Sequence, residues 1–393
     1  MGKMKNLAVI VIIIFFSLFL IPGYASADRG TVQLIWDSLG YSTAGVQIAP
    51  DGSIFVLDQE NEIWKIDPST GDYEGYWAIS DYELSDMALK DSETVWWTDG
   101  SQMFGFLVMG TGEIKFWDTY DVFTNNPQFG PLVYEQGSVW LADSLSSYNG
   151  IYHFNPQSDE LCMYKNMSSG IHAADLVMLD EDVWALDWFL NSLMRFDPDS
   201  GVWTRFDIGR EIGLNGMLQT DGSYLWAAED VDDGAILRFD PASLALTVYH
   251  LPDGEQPLHF VLQGDQAVWY TNYNGSFGKI DLKNFTDVET SMLTDSPGGT
   301  VTPSCADLGS PDEYTAGLDT GTLNDPPSYF VSTVTSPKTG LQSFSLDSGA
   351  TPFGIAATHD FIWITDPARD ELIRLPLESQ SDESFIFLPL IIK

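Results

Sequence analysis

The chain has 393 residues, with 17 lysines and arginines against 57 aspartates and glutamates, so its formal net charge is −40. A surface this acidic repels nucleic-acid phosphates and anionic lipids, which argues against nucleic-acid binding and against polybasic attachment to a membrane. Hydrophobic residues make up 44% of the chain and include thirteen tryptophans, enough for a large core. If this charge has a binding partner, we expect a cation, but solubility and self-repulsion outside the cell are the simpler explanation.

The first 27 residues have the pattern of an export signal: two lysines, an apolar stretch, a Pro-Gly pair that ends the stretch, and a small-residue triplet for cleavage. These features are Lys3 and Lys5, Leu7 to Ile21, Pro22-Gly23 and Ala25-Ser26-Ala27. We predict a signal peptide over residues 1–27 and a secreted or cell-surface protein with no transmembrane span after its removal. An uncleaved amino-terminal anchor is the alternative.

One short phrase recurs along the rest of the chain: an apolar residue, an aromatic, two small or apolar residues, and a carboxylate or its amide. The aromatics of the seven copies are Phe55, Trp96, Trp140, Trp184, Trp226, Trp269 and Trp363. Successive copies are 41, 44, 44, 42, 43 and 94 residues apart. The last step equals two periods, so we expect one copy to have diverged.

Each phrase lies between an apolar strand before it and an alternating strand after it. The second of these runs into a turn of the type Asp67-Pro68-Ser69-Thr70-Gly71, and a fourth strand follows. Four short strands in every unit predict an all-β fold, a β-propeller of four-stranded blades over residues 28–377.

Counting a degenerate blade at about 298–347 gives eight blades, and seven blades with a long insertion is the alternative. The strand Thr31 to Trp36 precedes the first unit and is predicted to pair with the last blade and close the ring. Residues 378–393, a polar linker and an apolar tail, are placed outside the ring, as an extra strand or a recognition tail.

The two cysteines, Cys162 and Cys305, fall in units that an eight-bladed ring places nearly opposite each other. A disulfide needs Cα atoms within about 7 Å of each other. We therefore expect no intrachain disulfide and a monomer that is stabilised by its core.

The carboxylate of each phrase is predicted to lie on one rim of the central channel, because second strands end there. Oxygen ligands in a ring suit Ca²⁺ or Mg²⁺. The candidate metal ligands are Asp99, Asp143, Asp187, Glu229 and Asp366. Alternatively, each acid caps the turn that follows it or pairs with a basic residue of the next strand.

Candidate ligand contacts are four aromatics in or near the predicted rim loops: Trp97, Trp188, Tyr270 and Tyr273. The tryptophans of the repeat itself are assigned to packing between blades, since Trp is the largest side chain available to fill that space. Two histidines, His172 and His259, lie before or within inner strands, where a general base could face the channel. No strong catalytic motif accompanies them.

Three segments resemble the repeat of the streptogramin B (virginiamycin B) lyase family and its gluconolactonase-like and NHL-type relatives. They are Pro352-Phe353-Gly354-Ile355 with Trp363-Ile364-Thr365-Asp366, Gln256-Pro257-Leu258-His259 with Trp269-Tyr270-Thr271-Asn272, and Phe277-Gly278-Lys279-Ile280. The resemblance implies a propeller. In that family it also implies a lyase that opens a cyclic depsipeptide ester with a histidine base and Mg²⁺ near a glutamate. The family's histidine directly follows the proline, where this chain has Leu258 or Phe353.

Three hypotheses for function follow. The first is an exported, non-enzymatic propeller that binds a small molecule, peptide or glycan across its acidic rim, with Ca²⁺ or Mg²⁺ as a candidate cofactor. The second is a divalent-metal lyase or lactonase that uses His259 or His172 as base and Glu229 among its metal ligands. The third is a structural module of the cell surface.

Overall fold

The computed structural model describes residues 29–37, 43–58, 61–77, 79–80, 82–123, 126–143, 150–165, 170–322, 328–334, 338–346, 350–368 and 371–377. The regular structure in these ranges is entirely β-strand. Within them, no helix has the length and apolar character needed to cross a membrane. The predicted signal peptide and carboxyl-terminal tail lie outside the described residues.

Antiparallel strands that follow one another in the chain form blades arranged as a ring, each blade beginning with its innermost strand. Strand β1 (Arg29–Asp37) comes first in the chain but belongs to the last blade. Blade 1 contains β2 (Thr43–Ile48), β3 (Ile54–Asp58), β4 (Glu62–Ile66) and β5 (Asp72–Trp77). Blade 2 contains β6 (Asp86–Leu89), β7 (Thr94–Thr98), β8 (Met103–Val108) and β9 (Glu113–Asp118).

The next three blades repeat this order. Blade 3 contains β10 (Phe129–Glu135), β11 (Ser138–Asp143), β12 (Gly150–Asn155) and β13 (Glu160–Lys165). Blade 4 contains β14 (Ala173–Leu179), β15 (Asp182–Asp187), β16 (Ser192–Asp197) and β17 (Val202–Asp207). Blade 5 contains β18 (Leu218–Thr220), β19 (Leu225–Ala228), β20 (Ala235–Asp240) and β21 (Ala245–His250).

Blade 6 is interrupted in the chain after its third strand. Its first strands are β22 (Pro257–Gln263), β23 (Ala267–Asn272) and β24 (Ser276–Asp281). The interrupting strands are β25 (Val288–Met292), β26 (Asp295–Thr300), β27 (Ser304–Asp307), β28 (Asp312–Thr315), β29 (Gly317–Thr322) and β30 (Ser328–Val334). Strand β31 (Leu341–Ser345) then completes blade 6 by pairing with β24.

Blade 7 contains β32 (Ile355–Ala357), β33 (Phe361–Asp366) and β34 (Glu371–Pro376), with β1 paired to β34 as its fourth strand. The first and last parts of the chain therefore share one sheet. Strand β30 pairs with both β1 and β31 and so joins blades 6 and 7 into a nine-stranded sheet.

The ring has seven blades, and the expectation of eight four-stranded blades was wrong. The segment expected to form a degenerate blade instead contributes one strand to each of several other blades. Strands β25, β26, β27, β28 and β29 pair with β21, β17, β13, β9 and β5, the outermost strands of blades 5, 4, 3, 2 and 1 in that order. Each of these blades becomes a five-stranded sheet. We call residues 288–322 and 328–334 the belt, because these described segments run around the outside of the ring against the order of the blades.

One residue at the end of each of four belt strands anchors the belt between blades. The anchors are Leu293, Val301, Leu308 and Ala316, which are 8, 7 and 8 residues apart. Their backbone N–H groups donate to the carbonyls of Leu244, Gly201, Asp159 and Gly112 at 2.9, 2.9, 2.9 and 2.8 Å. These four acceptors have positive φ and close the turns between the third and fourth strands of blades 5, 4, 3 and 2. The repeat of these turns therefore sets the spacing of the belt.

Cys162 and Cys305 form a disulfide, so the expectation of two free cysteines was wrong. The error has the same origin as the blade count. Cys305 lies in belt strand β27, which passes along blade 3 and places Cys305 directly opposite Cys162 of β13.

The core consists of apolar layers between neighbouring blades, filled by the repeated aromatics. Trp96 of blade 2, for example, packs with Leu132 and Phe154 of blade 3 in one buried cluster. Three basic residues of the third strands lie over these aromatics: Arg238, Lys279 and Arg374 are 5.5, 5.2 and 5.6 Å from the ring centroids of Trp226, Trp269 and Trp363. Such cation–π contacts stabilise the layer. Two others, Lys65 and Arg195, pair with Glu93 and Asp182.

Candidate functional site

The first strands of all seven blades surround a central channel with a volume of about 1420 Å³. We call the face at which the second strand of each blade ends the upper face. Loops of this face, among them residues 82–85, 99–102 and 214–216, line the channel entrance. The volume exceeds that of a usual pocket for a small ligand.

Four carboxyl residues line the channel: the predicted Asp99 and three that the sequence analysis did not single out, Glu83 in an entrance loop and Asp86 and Asp175 on first strands. Asp86 lies opposite Thr98 in blade 2, and Asp175 lies opposite Leu186 in blade 4. His259 lies on the first strand of blade 6 and exchanges hydrogen bonds with Thr271 at the corresponding register. We call Asp86, Asp175 and His259 the collar residues.

Each collar carboxyl group joins its own blade to the next one. Asp86 accepts backbone N–H bonds from Met87 at 2.8 Å and from Leu132 of blade 3 at 2.9 Å. Asp175 accepts the equivalent bonds from Leu176 at 2.7 Å and from Leu218 of blade 5 at 2.8 Å. Backbone donors therefore fix both groups, while each oxygen keeps lone pairs for a further donor.

Partial burial makes both collar carboxyl groups weak acids. Desolvation raises the pKa of Asp86 from 3.8 to about 7, although its two backbone hydrogen bonds oppose the change. Desolvation and, after it, the negative charge of Asp86 raise the pKa of Asp175 to about 8. Both groups can therefore change protonation state when a charged ligand arrives near neutral pH.

His259, one of the two predicted bases, faces the same channel. Its imidazole centroid is 4.5 Å from that of Phe353 in blade 7, and desolvation lowers its pKa from 6.5 to about 4. The ring is therefore neutral at physiological pH and can accept a proton or a hydrogen bond.

His172, the other predicted base, lies in the loop between blades 3 and 4 and outside the residues that line the channel. Its ring contacts Trp188 and Phe189 with centroid distances of 5.5 and 4.9 Å. This small aromatic group belongs to the upper face and not to the channel wall.

The predicted metal ligands lie at the upper ends of the second strands and are buried: Asp99, Asp143, Asp187, Glu229 and Asp366 are 3, 0, 0, 0 and 0% exposed. Asp99 accepts hydrogen bonds from Ser80 Oγ and Ser101 Oγ, at 2.8 and 2.7 Å, and Asp187 accepts the backbone N–H groups of Phe189 and Leu190, at 3.0 and 2.8 Å.

Two further members of this set are held in the same way by neighbouring loops. Glu229 accepts both Nε and Nη2 of Arg210, and Asp366 accepts the backbone N–H of Thr351 at 2.9 Å. The contacts of Asp99 with Ser101 and of Asp187 match the alternative in which an acid caps the turn that follows it. Glu229 and Asp366 instead hold loops between blades, through Arg210 and Thr351.

The five predicted metal ligands, which we call the rim acids, do not fit a divalent cation in this arrangement. Such an ion needs several oxygen ligands directed to one point. In the described part of the chain, the only three His, Cys, Asp or Glu ligand atoms within 4.8 Å of one another belong to Glu160, Cys162 and Cys305, and both of these cysteines are in the disulfide. The Ca²⁺ or Mg²⁺ site stays a prediction.

The four predicted aromatic contacts fall into two groups. Trp97 and Tyr270 are 1 and 0% exposed and pack in the layers between blades. Trp188 is half-buried, and Tyr273 is 71% exposed in the loop after β23. Trp188 and Tyr273 are therefore the two that an upper-face ligand can reach.

Exposed large apolar side chains occur in two places among the described residues. Six lie in upper-face loops or at strand ends of that face: Trp77, Tyr82, Tyr120, Phe189, Leu214 and Tyr273. The other four, Val288, Met292, Tyr314 and Leu318, lie on the belt. Tyr82 and Leu214 also line the channel entrance, which gives this entrance an apolar edge.

A sequence signal for the collar was present. Asp86 and Asp175 are the polar residues in Asp86-Met87-Ala88-Leu89 and Asp175-Leu176-Val177-Met178-Leu179, two otherwise apolar first strands. A carboxylate in a strand that faces a channel needs a partner there.

No family model and no curated protein matches the chain. Virginiamycin B lyase from Staphylococcus aureus is 14% identical, with a TM-score of 0.60 over 89% of this chain and 99% of that one. A catalytically inactive form of that lyase with quinupristin is 15% identical, with a TM-score of 0.59 over 90 and 97% of the two chains. YCF48 from Cyanidioschyzon merolae is 11% identical, with a TM-score of 0.55 over 88 and 98%. At such identities the likeness concerns the fold alone, and it confirms a streptogramin lyase-like β-propeller.

Proposed function

We propose that the protein is an exported binding protein whose channel takes up, without transforming it, a ligand that carries a protonated amine on an apolar body. The main observation that supports this proposal is the set of residues that line the channel. It includes the carboxyl groups of Asp86 and Asp175 and, among the described residues, no lysine or arginine. This proposal moves the binding site from the rim acids, which neighbouring loops hold, to the collar.

The chemistry of the collar favours an amine over an anion. Each collar carboxyl group accepts two backbone N–H bonds and keeps lone pairs that a ligand donor can use. A cation near Asp86 or Asp175 stabilises the ionised carboxylate, and the partial burial of these groups strengthens that attraction. The net charge of −40 favours the approach of cations.

The apolar part of the ligand has a matching surface. Val261, Phe353 and Ile355 line the channel next to His259, and Tyr82 and Leu214 stand at the entrance. Burying apolar ligand surface contributes roughly 25 cal/mol per Å², so the walls provide affinity while the collar selects the charge.

The test is calorimetric titration with matched pairs of probes: phenethylamine, octylamine and a Leu-Leu-Phe amide peptide, each with its N-acetylated form. We expect the amines to bind at least tenfold more tightly than the acetylated forms. Asp175→Asn is expected to remove most of that difference, whereas Asp240→Asn, in an exposed turn between β20 and β21, leaves it unchanged. Equal binding of both forms, or no binding by any amine, refutes the proposal.

The pH dependence provides a second readout of the same site. Because the carboxyl groups must ionise to hold an amine, affinity should rise between pH 6 and pH 9, through the pKa values of about 7 and about 8. Binding at pH 7 should release protons, which appears as a heat that depends on the buffer. An affinity that does not change with pH would count against the collar as the binding group.

A second candidate, a lyase or lactonase, rests on His259. Its neutral ring faces the channel beside Phe353, where it can take a proton from a bound substrate. Quinupristin, present in the structure of the inactive lyase, is a suitable probe: its conversion is followed by chromatography with wild-type protein and with His259→Ala. Conversion by the wild type alone supports this candidate, and unchanged quinupristin removes it for this substrate.

A further inference from the structure

We propose that the disulfide Cys162–Cys305 is a redox clamp on a detachable belt, and that a dithiol reductant releases the belt while the seven blades stay folded. This inference does not depend on the proposed function, because the belt lies outside the ring and away from the collar.

The belt leaves the ring and returns to it at one point. Asp281 precedes the belt in the chain and Gly340 follows it. The backbone N–H of Asp281 donates to the carbonyl of Gly340 at 2.7 Å. Asp287 Oδ2 and Lys338 Nζ, on the two ends of the belt, are 2.8 Å apart. Strands β24 and β31 pair beside this point and complete blade 6. Release of the belt therefore leaves the chain path through the blades intact.

Most belt side chains that the structure describes are exposed, including all residues of β25 and β28. The side chains of these two strands make contacts near the surface: Glu313 pairs with Lys115, and the Tyr314 hydroxyl donates to the carbonyl of Ile79. Among the belt residues whose side chains the structure describes, the buried apolar ones are Leu293, Val301 and Ala316, 7, 8 and 8% exposed, and each joins a different layer between blades. Every blade retains its own four strands and its aromatic layer without the belt. The belt is thus a weakly packed fifth strand on each blade that it passes.

The disulfide is placed to control the middle of the belt. It joins β27 to β13 of blade 3, the third of the five blades that β25 to β29 pass. Cys305 is exposed, so a reductant can reach it. A dithiol thiolate attacks the disulfide, the S–S bond breaks, and the second thiol of the reductant closes its own disulfide. Two electrons and two protons pass from the reductant to the two protein thiols.

Hydrogen–deuterium exchange, read by mass spectrometry before and after treatment with dithiothreitol, tests the clamp. Reduction is expected to raise exchange at least tenfold in residues 295–315, while β15 and β16 of blade 4 keep their protection. The Cys162→Ser/Cys305→Ser protein should show the raised exchange with and without the reductant. Unchanged belt protection after reduction, or loss of protection in the blades as well, overturns the proposal.

A belt-deleted protein tests the second half of the proposal. Residues 289–336 are replaced by a short Gly-Ser linker, which the contact between Asp287 and Lys338 permits. We expect blade protection equal to that of the reduced wild type. A deleted protein without protected blades shows that the belt is required for the fold and overturns the claim that it is detachable.

Discussion

Replacing Asp175 by Asn should change how stability depends on pH. Burial and then the charge of Asp86 raise the pKa of Asp175 from 3.8 to about 8. Because the folded pKa lies above the unfolded one, the folded state binds the extra proton between these values. The resulting stability is fully present below pH 4 and is lost as the pH rises through about 8.

The size of the effect follows from the two pKa values. In this window each pH unit lowers the free energy of unfolding by about 1.4 kcal/mol per group. From pH 5 to pH 8, Asp175 therefore accounts for a loss of about 4 kcal/mol. Asn does not titrate, but its amide NH₂ group replaces one of the two accepting oxygens. This donor then faces the backbone N–H of Leu176 or Leu218 and leaves it without an acceptor, which lowers the free energy of unfolding by about 1–3 kcal/mol. Relative to wild type, Asp175→Asn should therefore gain about 4 kcal/mol of stability between pH 5 and pH 8 and be more stable than wild type at pH 9.

The assay is urea unfolding at pH 5, 6, 7, 8 and 9, followed by tryptophan fluorescence. Asp197→Asn is the control, because hydrogen bonds, chiefly from Ser200, lower the pKa of this exposed turn residue. Its contribution is lost only below pH 4, so its difference from wild type should be constant over the series. Parallel curves for Asp175→Asn and wild type would refute the account of the collar.

Three further predictions concern other parts of the molecule. The imidazole of His259, with a pKa of about 4, should show constant NMR shifts from pH 5.5 to 8, and a midpoint near 6.5 would contradict its desolvation. Glu229→Ala leaves a half-buried guanidinium unpaired and should lower the free energy of unfolding by about 2–4 kcal/mol, measured in urea; an unchanged midpoint would contradict that loss. Gly105→Ala places a methyl group 2.3 Å from the carbonyl oxygen of Lys115 and should destabilise by about 1–3 kcal/mol. The control, Gly45→Ala, meets nothing within 4 Å, and equal stability of these two variants would count against the close strand pairing.

The blades could be predicted from sequence because each blade must bury its own layer of aromatic side chains. The same strand must therefore carry an aromatic residue in every blade, and this produces the repeated sequence phrase. The number of blades could not. The 94 residues between Trp269 and Trp363 match two periods in length, but length does not reveal whether strands pair with one another or with distant partners. The composition of this segment already argued against an eighth blade. The third strands of blades usually contain a lysine or arginine, but neither occurs between Lys283 and Lys338.

The disulfide was missed for the same topological reason. The distance between Cys162 and Cys305 was judged from their places in a ring of eight consecutive blades. Once the second cysteine lies on the belt, a sequence separation of 143 residues no longer implies separation in space. Spacing alone does not identify such a pair when one partner lies outside the repeat.

Of the predicted site residues, His259 and Asp99 line the channel, whereas Asp143, Asp187, Glu229 and Asp366 lie outside its lining. The rim acids were expected to point inward, yet carboxylates at strand ends are well placed to accept backbone N–H groups of the next turn, as Asp187 does. Asp86 and Asp175 are visible in the sequence as single carboxylates in otherwise apolar first strands, but the sequence does not show what their side chains face. Their role depends on the register that turns both toward one channel, and register is a property of the paired strands.

The most direct test of the account is a crystal structure of the oxidised protein soaked with phenethylamine. We predict seven blades, a belt joined to blade 3 by Cys162–Cys305, and an ammonium group within hydrogen-bonding distance of Asp86 or Asp175. An amine that binds elsewhere and leaves both carboxyl groups of the collar without a ligand would contradict the account.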